Sequence, residues 1–110
     1  MTVYDQDNQT VERHPMSQAF HDLLKEMADL HDKKQKDYGS KQNPFANVAA
    51  SEDYGISPWI GAMVRANDKI RRIMAAARGQ NLVNESVEDS LIDLSVYAAI
   101  ALVLYREENK

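Results

Sequence analysis

The sequence of 110 residues contains no cysteine. A chain without thiols cannot rely on disulfide bonds, cannot build a thiolate zinc site and cannot use a thiol nucleophile. A long hydrophobic run is also missing: the longest, Val96 to Tyr105, is about half of what a bilayer span requires. We therefore expect a cytoplasmic protein that has no membrane partner.

Glycine and proline are scarce, with four and three residues respectively. They fall where a helix would start or stop, which is typical of a mostly helical chain. Pro15 and Pro58 are suited to first helical turns, Ser57 to the cap that precedes the second helix, and Gly39 and Gly79 to helix ends. The apolar periodicity predicts long helices over about 15–37, 58–78 and 84 or 86 to 107, with a short helix near 45–50 in the intervening loop.

An excess of basic residues is absent as well, since the formal net charge is -4. Proteins that coat a nucleic-acid backbone depend on clustered Lys and Arg. Nucleic acid is therefore not expected as the main ligand, although a small anion could still bind locally.

The third predicted helix is apolar on every side between Val96 and Tyr105. A helix of this kind must be covered all round, and two neighbouring helices of one small chain cannot easily do so. We therefore predict an all-α fold, a helical bundle of three long helices plus a short loop helix, completed by homo-oligomerisation as a homodimer or homotetramer. Residues 1–14 lack periodicity and are predicted to form a flexible or peripheral arm, with 15–110 as a single all-α domain.

Four charged residues fall together on the side of the second predicted helix that lies opposite its apolar stripe: Arg65, Asp68, Lys69 and Arg72. They could form a solvated face held by local ion pairs. They could instead bind a phosphate chain, because the cations match phosphate oxygens and the carboxylate could take a metal.

Glu85, Asp89 and Asp93 lie on successive turns at the start of the third predicted helix. This line continues through apolar residues, so Asp93 is expected at the rim of the core, where a bare carboxylate is costly. It needs a cationic partner, a hydrogen-bond network or a metal ion. One alternative is an ion pair with Arg65, Lys69 or Arg72; the other is a divalent metal held together with Asp89 or Asp68.

These motifs resemble a known family. "KQKDYG", "NPF", "GISPWIGAMVRANDKIRRI" and "ESVEDSLIDLSVYAAIALV" are similar to the nucleotide-modification-associated domain of the first type, which is largely phage-encoded. The resemblance covers about residues 31–105, and its most specific parts are Arg-x-x-Asp-Lys-x-x-Arg from Arg65 and Glu-Asp-x-x-x-Asp from Glu88. It implies a role in phage nucleotide metabolism or DNA modification, in the cytoplasm of the host cell.

More distantly, the acids that open "DLSVYAAIAL" resemble the MazG-like all-α nucleoside triphosphate pyrophosphohydrolases. That resemblance implies a bundle of two or four chains that holds Mg²⁺ with acids from two helices and hydrolyses a nucleoside triphosphate to monophosphate and pyrophosphate. The sequence departs from the pattern at Ser90, where an acid is expected. It departs again in the second helix, which has one acid, Asp68, in place of three.

The resemblance thus implies an enzyme whose Mg²⁺ or Mn²⁺ ligands are Asp68, Glu85, Glu88, Asp89 and Asp93, with Asp68, Asp89 and Asp93 in catalysis. In such an enzyme the cations of the second helix, Arg65, Lys69 and Arg72, would bind phosphate, and Tyr38, Asn43 and Trp59, in or next to the long loop, are candidates for the base or sugar pocket. Trp59 has a second interpretation, as a core residue. The missing acids leave two other hypotheses open: a non-catalytic nucleotide-binding or partner-binding helical module, and a structural oligomer.

Overall fold

A computed structural model describes residues 1–38, 45–82 and 85–110. Three long helices dominate the described chain, which confirms the predicted all-α class, and a small two-stranded sheet accompanies them. In chain order the elements are β1 (Thr2–Tyr4), β2 (Thr10–Glu12), α1 (Pro15–Tyr38), α2 (Ala46–Ala49), a 3₁₀ helix (Ala50–Tyr54), α3 (Pro58–Ala77) and α4 (Val87–Glu108). The chain forms two compact units, Met1–Asp32 and Lys33–Lys110.

The first unit begins with a β-hairpin. β1 and β2 pair antiparallel with Val3 opposite Val11, and the turn between them is closed by Asp5, whose Oδ1 accepts hydrogen bonds from two backbone N–H groups at 3.0 and 2.9 Å. Asn8 takes the left-handed conformation in this turn, with φ of 62°, as its short polar side chain permits. The expected arm therefore contains a hairpin. The unit boundary lies inside the continuous helix α1, so the domain limit at residue 14 stays a prediction.

The ends of the long helices follow local sequence signals. Ser86 caps α4, its Oγ accepting a hydrogen bond from the Asp89 backbone N–H at 3.0 Å, and Gly79 ends α3 with φ of 88°. Ser57 precedes α3 but makes no side-chain cap; its Oγ donates instead to Oε1 of Glu108 at 2.8 Å. This hydrogen bond joins the start of α3 to the end of α4.

The core of the second unit lies between α3, α4 and the short helices. Val48, Ala62 and Ala101 are buried there, and five larger side chains pack around them: Phe45, Trp59, Tyr97, Ile100 and Leu104. Ala62 and Ala66, one turn apart on α3, are completely buried. Small residues at these positions allow close approach of neighbouring backbone, as does Gly61, where a Cβ would lie 2.9 Å from the carbonyl oxygen of Val48.

Much apolar surface of α3 and α4 stays exposed in the single chain. The predicted apolar stripe of α3 is 40–57% exposed at Ile60, Met63, Val64, Ile70 and Met74, and α4 is 44–48% exposed at Leu91, Leu102, Val103 and Tyr105. None of the described helices combines the length and the apolar character needed to cross a membrane.

Candidate functional site

A group of partly buried charged side chains is centred on Lys69. Its Nζ lies 2.7 Å from Oε1 of Glu85 and 3.0 Å from Oδ2 of Asp93. Lys69 comes from the middle of α3, Asp93 from the second turn of α4, and Glu85 from the residues just before α4. One ammonium group thus bridges two carboxylates, and all three side chains are between 16 and 18% exposed.

Two further cations lie at the outside of this arrangement. Nζ of Lys34, near the end of α1, is 3.2 Å from Oδ1 of Asp93, and Nε of Arg72 is 3.8 Å from Oε2 of Glu85. Both side chains are about half exposed, at 49% for Lys34 and 46% for Arg72. We refer to Lys34, Lys69, Arg72, Glu85, Ser90 and Asp93 together as the ion-pair cluster.

Ser90 contributes a hydroxyl group to the cluster. It is fully buried, and its Oγ donates a hydrogen bond to Oε2 of Glu85 at 2.5 Å. Glu85 thereby gives the buried Ser90 hydroxyl a hydrogen-bond partner, without which a buried polar group is costly. Ser90 stands where the MazG-like pattern has an acid. At this position the chain therefore has a hydrogen-bond donor to Glu85 instead of another carboxylate.

The contacts within the cluster shift the pKa of Glu85 and of Lys69. The hydrogen bonds from Lys69 and then from Ser90 lower the pKa of Glu85 to about 2. Burial alone would lower the pKa of Lys69, but its hydrogen bonds to Glu85 and Asp93 outweigh burial and raise that pKa. Lys69 and Glu85 are therefore both charged near neutral pH.

The predicted metal ligands do not converge as a set. Glu85 and Asp93 meet at Lys69, whereas Asp68, Glu88 and Asp89 are exposed. Within residues 1–38, 45–82 and 85–110, no group of three or more His, Cys, Asp or Glu side chains is placed to hold a metal ion. The Mg²⁺ or Mn²⁺ site stays a prediction.

The predicted ligand-binding residues separate in a similar way. Lys69 and Arg72 belong to the cluster, and Arg65 is exposed on α3 outside it. Trp59 packs edge-to-face on Tyr105 with ring centroids 5.5 Å apart, beside the core residues. Asn43 and the side chain of Tyr38 lie outside the described part of the chain.

An open cleft of about 540 Å³ borders the cluster at Glu85. Its polar lining includes Gln80, Asn81, Ser86 and Asp89.

Sequence patterns identified Lys69, Arg72, Glu85 and Asp93 as facing residues. They did not identify Lys34, because its contact with Asp93 spans 59 positions of the chain.

Comparison with known proteins gives no match to this chain, whether with a protein-family model, a curated protein or a solved structure.

Proposed function

We propose that this chain binds a nucleotide through its phosphate groups at the ion-pair cluster and acts as a non-catalytic helical module. The observation that carries the proposal is the charge arrangement. Three cationic side chains surround two carboxylates, which leaves one positive charge in excess. The carboxylates lie inside, and the cations at the rim face solvent.

The rim cations are suited to an anionic ligand. Arg72 contacts Glu85 at 3.8 Å, which is longer than a hydrogen bond. Its guanidinium group can therefore turn toward a phosphate without losing a strong interaction. Lys34 is half exposed and uses one contact to Asp93, while an ammonium group carries three N–H donors. Lys69 keeps the inner carboxylates neutralised while the rim cations bind phosphate.

Two further points support a nucleotide rather than a simple anion. The cleft beside Glu85 is large enough for a sugar or base next to the cluster. In addition, Lys69, Arg72 and Asp93 belong to the motifs that resemble the nucleotide-modification-associated domain. The alternative function is nucleoside triphosphate pyrophosphohydrolase activity, which Asp89 favours because its side chain is exposed and it lines the same cleft as Glu85.

Calorimetric titration with the common ribo- and deoxynucleoside triphosphates, without metal and then with Mg²⁺ or Mn²⁺, tests the proposal. We expect binding without metal, and a loss of roughly ten- to a hundredfold in affinity for Arg72→Gln, because a charge-assisted hydrogen bond contributes about 1.5–3 kcal/mol. Arg71→Gln is the matched control, since Arg71 is an exposed neighbour outside the cluster. It should bind as the native chain does.

Chromatography of the same mixtures separates the two functions. Intact nucleotide after incubation agrees with the binding module, and release of monophosphate and pyrophosphate would establish the enzyme instead. The proposal fails altogether if the native chain binds no nucleotide, or if Arg71→Gln weakens binding as much as Arg72→Gln does.

We also propose that the chain functions as a homo-oligomer. In the described ranges the buried hydrophobic residues are Val48, Ala62, Ala66 and Ala101, and the larger side chains that pack around this core are only partly buried in the single chain. The half-exposed apolar residues of α3 and α4 would gain burial against a second copy of the chain. Light scattering coupled to size-exclusion chromatography should give a mass of at least twice 12.5 kDa; a monomer at micromolar concentration would contradict this.

A further inference from the structure

The MazG-like resemblance implies a divalent metal ion among acids of two helices, and the cluster is where the structure brings two acids together. What lies between them is Nζ of Lys69, 2.7 Å from Glu85 and 3.0 Å from Asp93. Mg²⁺ requires near-octahedral oxygen ligands at about 2.0–2.1 Å, and Mn²⁺ likewise prefers oxygen ligands. An ammonium group at the bridging position excludes such a geometry. The residues therefore do not fit a resident divalent ion at this place.

The net charge of the cluster also argues against a resident divalent ion. With Lys34, Lys69 and Arg72 against two carboxylates, the cluster is already positive. A dication placed beside the Lys69 ammonium would be repelled by it at short range, in a partly buried place where screening by water is weak. The four carboxylate oxygens already face N–H or O–H donors: Lys69, Lys34, Ser90 and Arg72.

We infer that Lys69 is the resident cation of this centre: a tethered ammonium group takes the place between Glu85 and Asp93 that a divalent metal would otherwise occupy. Removing the ammonium then leaves two carboxylates facing each other, which is an incomplete oxygen site for Mn²⁺ or Mg²⁺. The inference does not depend on nucleotide binding, because it concerns the protein and the metal alone.

A Mn²⁺ titration of the nucleotide-free protein tests this inference. The readouts are the electron paramagnetic resonance signal of free Mn²⁺ and the melting temperature. The native chain should bind no Mn²⁺ at this centre up to millimolar concentration, whereas Lys69→Met should bind it at least tenfold more tightly and melt at a higher temperature when Mn²⁺ is added. Adding Asp93→Asn to Lys69→Met should abolish the gain.

Lys34→Met is the matched control. It removes the same charge from the same carboxylate of Asp93 but leaves Lys69 in the bridging position, so it should, like the native chain, bind no Mn²⁺ at this centre up to millimolar concentration. An equal gain in Lys34→Met would overturn the inference, since net charge rather than position would then explain the binding. Stabilisation of the native chain by Mn²⁺ that Asp93→Asn removes would also overturn it, and this measurement holds even if Lys69→Met does not fold.

Discussion

Ala62→Leu should lower the free energy of unfolding by about 2–3 kcal/mol, because extra methylene groups in a well-packed core force shifts of side chains and backbone. Ala62 is completely buried and belongs to the core cluster with Val48 and Ala101. A leucine side chain there has no space between α3 and its neighbours. The melting temperature should fall by roughly 10 °C for a chain of this size, as measured by circular dichroism.

Ala77→Leu serves as the control for this substitution. Ala77 lies at the end of the same helix and is exposed, and surface substitutions usually change stability by less than about 0.5 kcal/mol. Equal melting temperatures for Ala62→Leu and the native chain would show that α3 does not pack on the core at Ala62 as described.

Lys69→Met should lower the free energy of unfolding by about 2 kcal/mol at pH 7, between the small effect of a surface pair and the 3–5 kcal/mol of a fully buried one. The intermediate value follows from the 16–18% exposure of Lys69, Glu85 and Asp93. The loss arises because two carboxylates then face each other without the ammonium between them. Urea denaturation measures it.

A second substitution and a change of pH identify the cause. Asp93→Asn should restore part of the stability of Lys69→Met, because it removes the carboxylate repulsion. The pKa of Glu85 is lowered from its ordinary value of 4.5 to about 2 in the native chain, so its stabilising contribution is complete above pH 4.5 and is lost as pH falls toward 2. The difference between the native chain and Lys69→Met should therefore narrow over this interval. A difference that stays constant would assign the loss to packing rather than charge.

The sequence by itself determined the three long helices and their ends. Pro58, Ser86 and Gly79 act on the backbone of their own neighbourhood, through a fixed φ, a side-chain cap and a left-handed φ of 88°. Such signals need no distant contact, so most predicted bounds lie within one residue of the observed ones, and of the two predicted starts of α4 residue 86 lies one residue from Val87 and residue 84 three. Helical periodicity also predicts which face of each helix is charged. An arrangement in which Lys69 faces Glu85 and Asp93 was therefore among the predicted alternatives.

Only the tertiary structure decided which partners those charges take. Asp93 required a partner at the rim of the core. From helical periodicity alone, that partner could be a cationic side chain or a metal ion. The choice of Lys69 and Lys34 depends on how α3, α4 and the end of α1 pack, which places groups far apart in sequence within 3.2 Å of Asp93. Burial of Ser90 was decided in the same way. Local patterns determine where a helix begins and which face is polar, whereas the pairing of charges across helices depends on distances that only packing fixes.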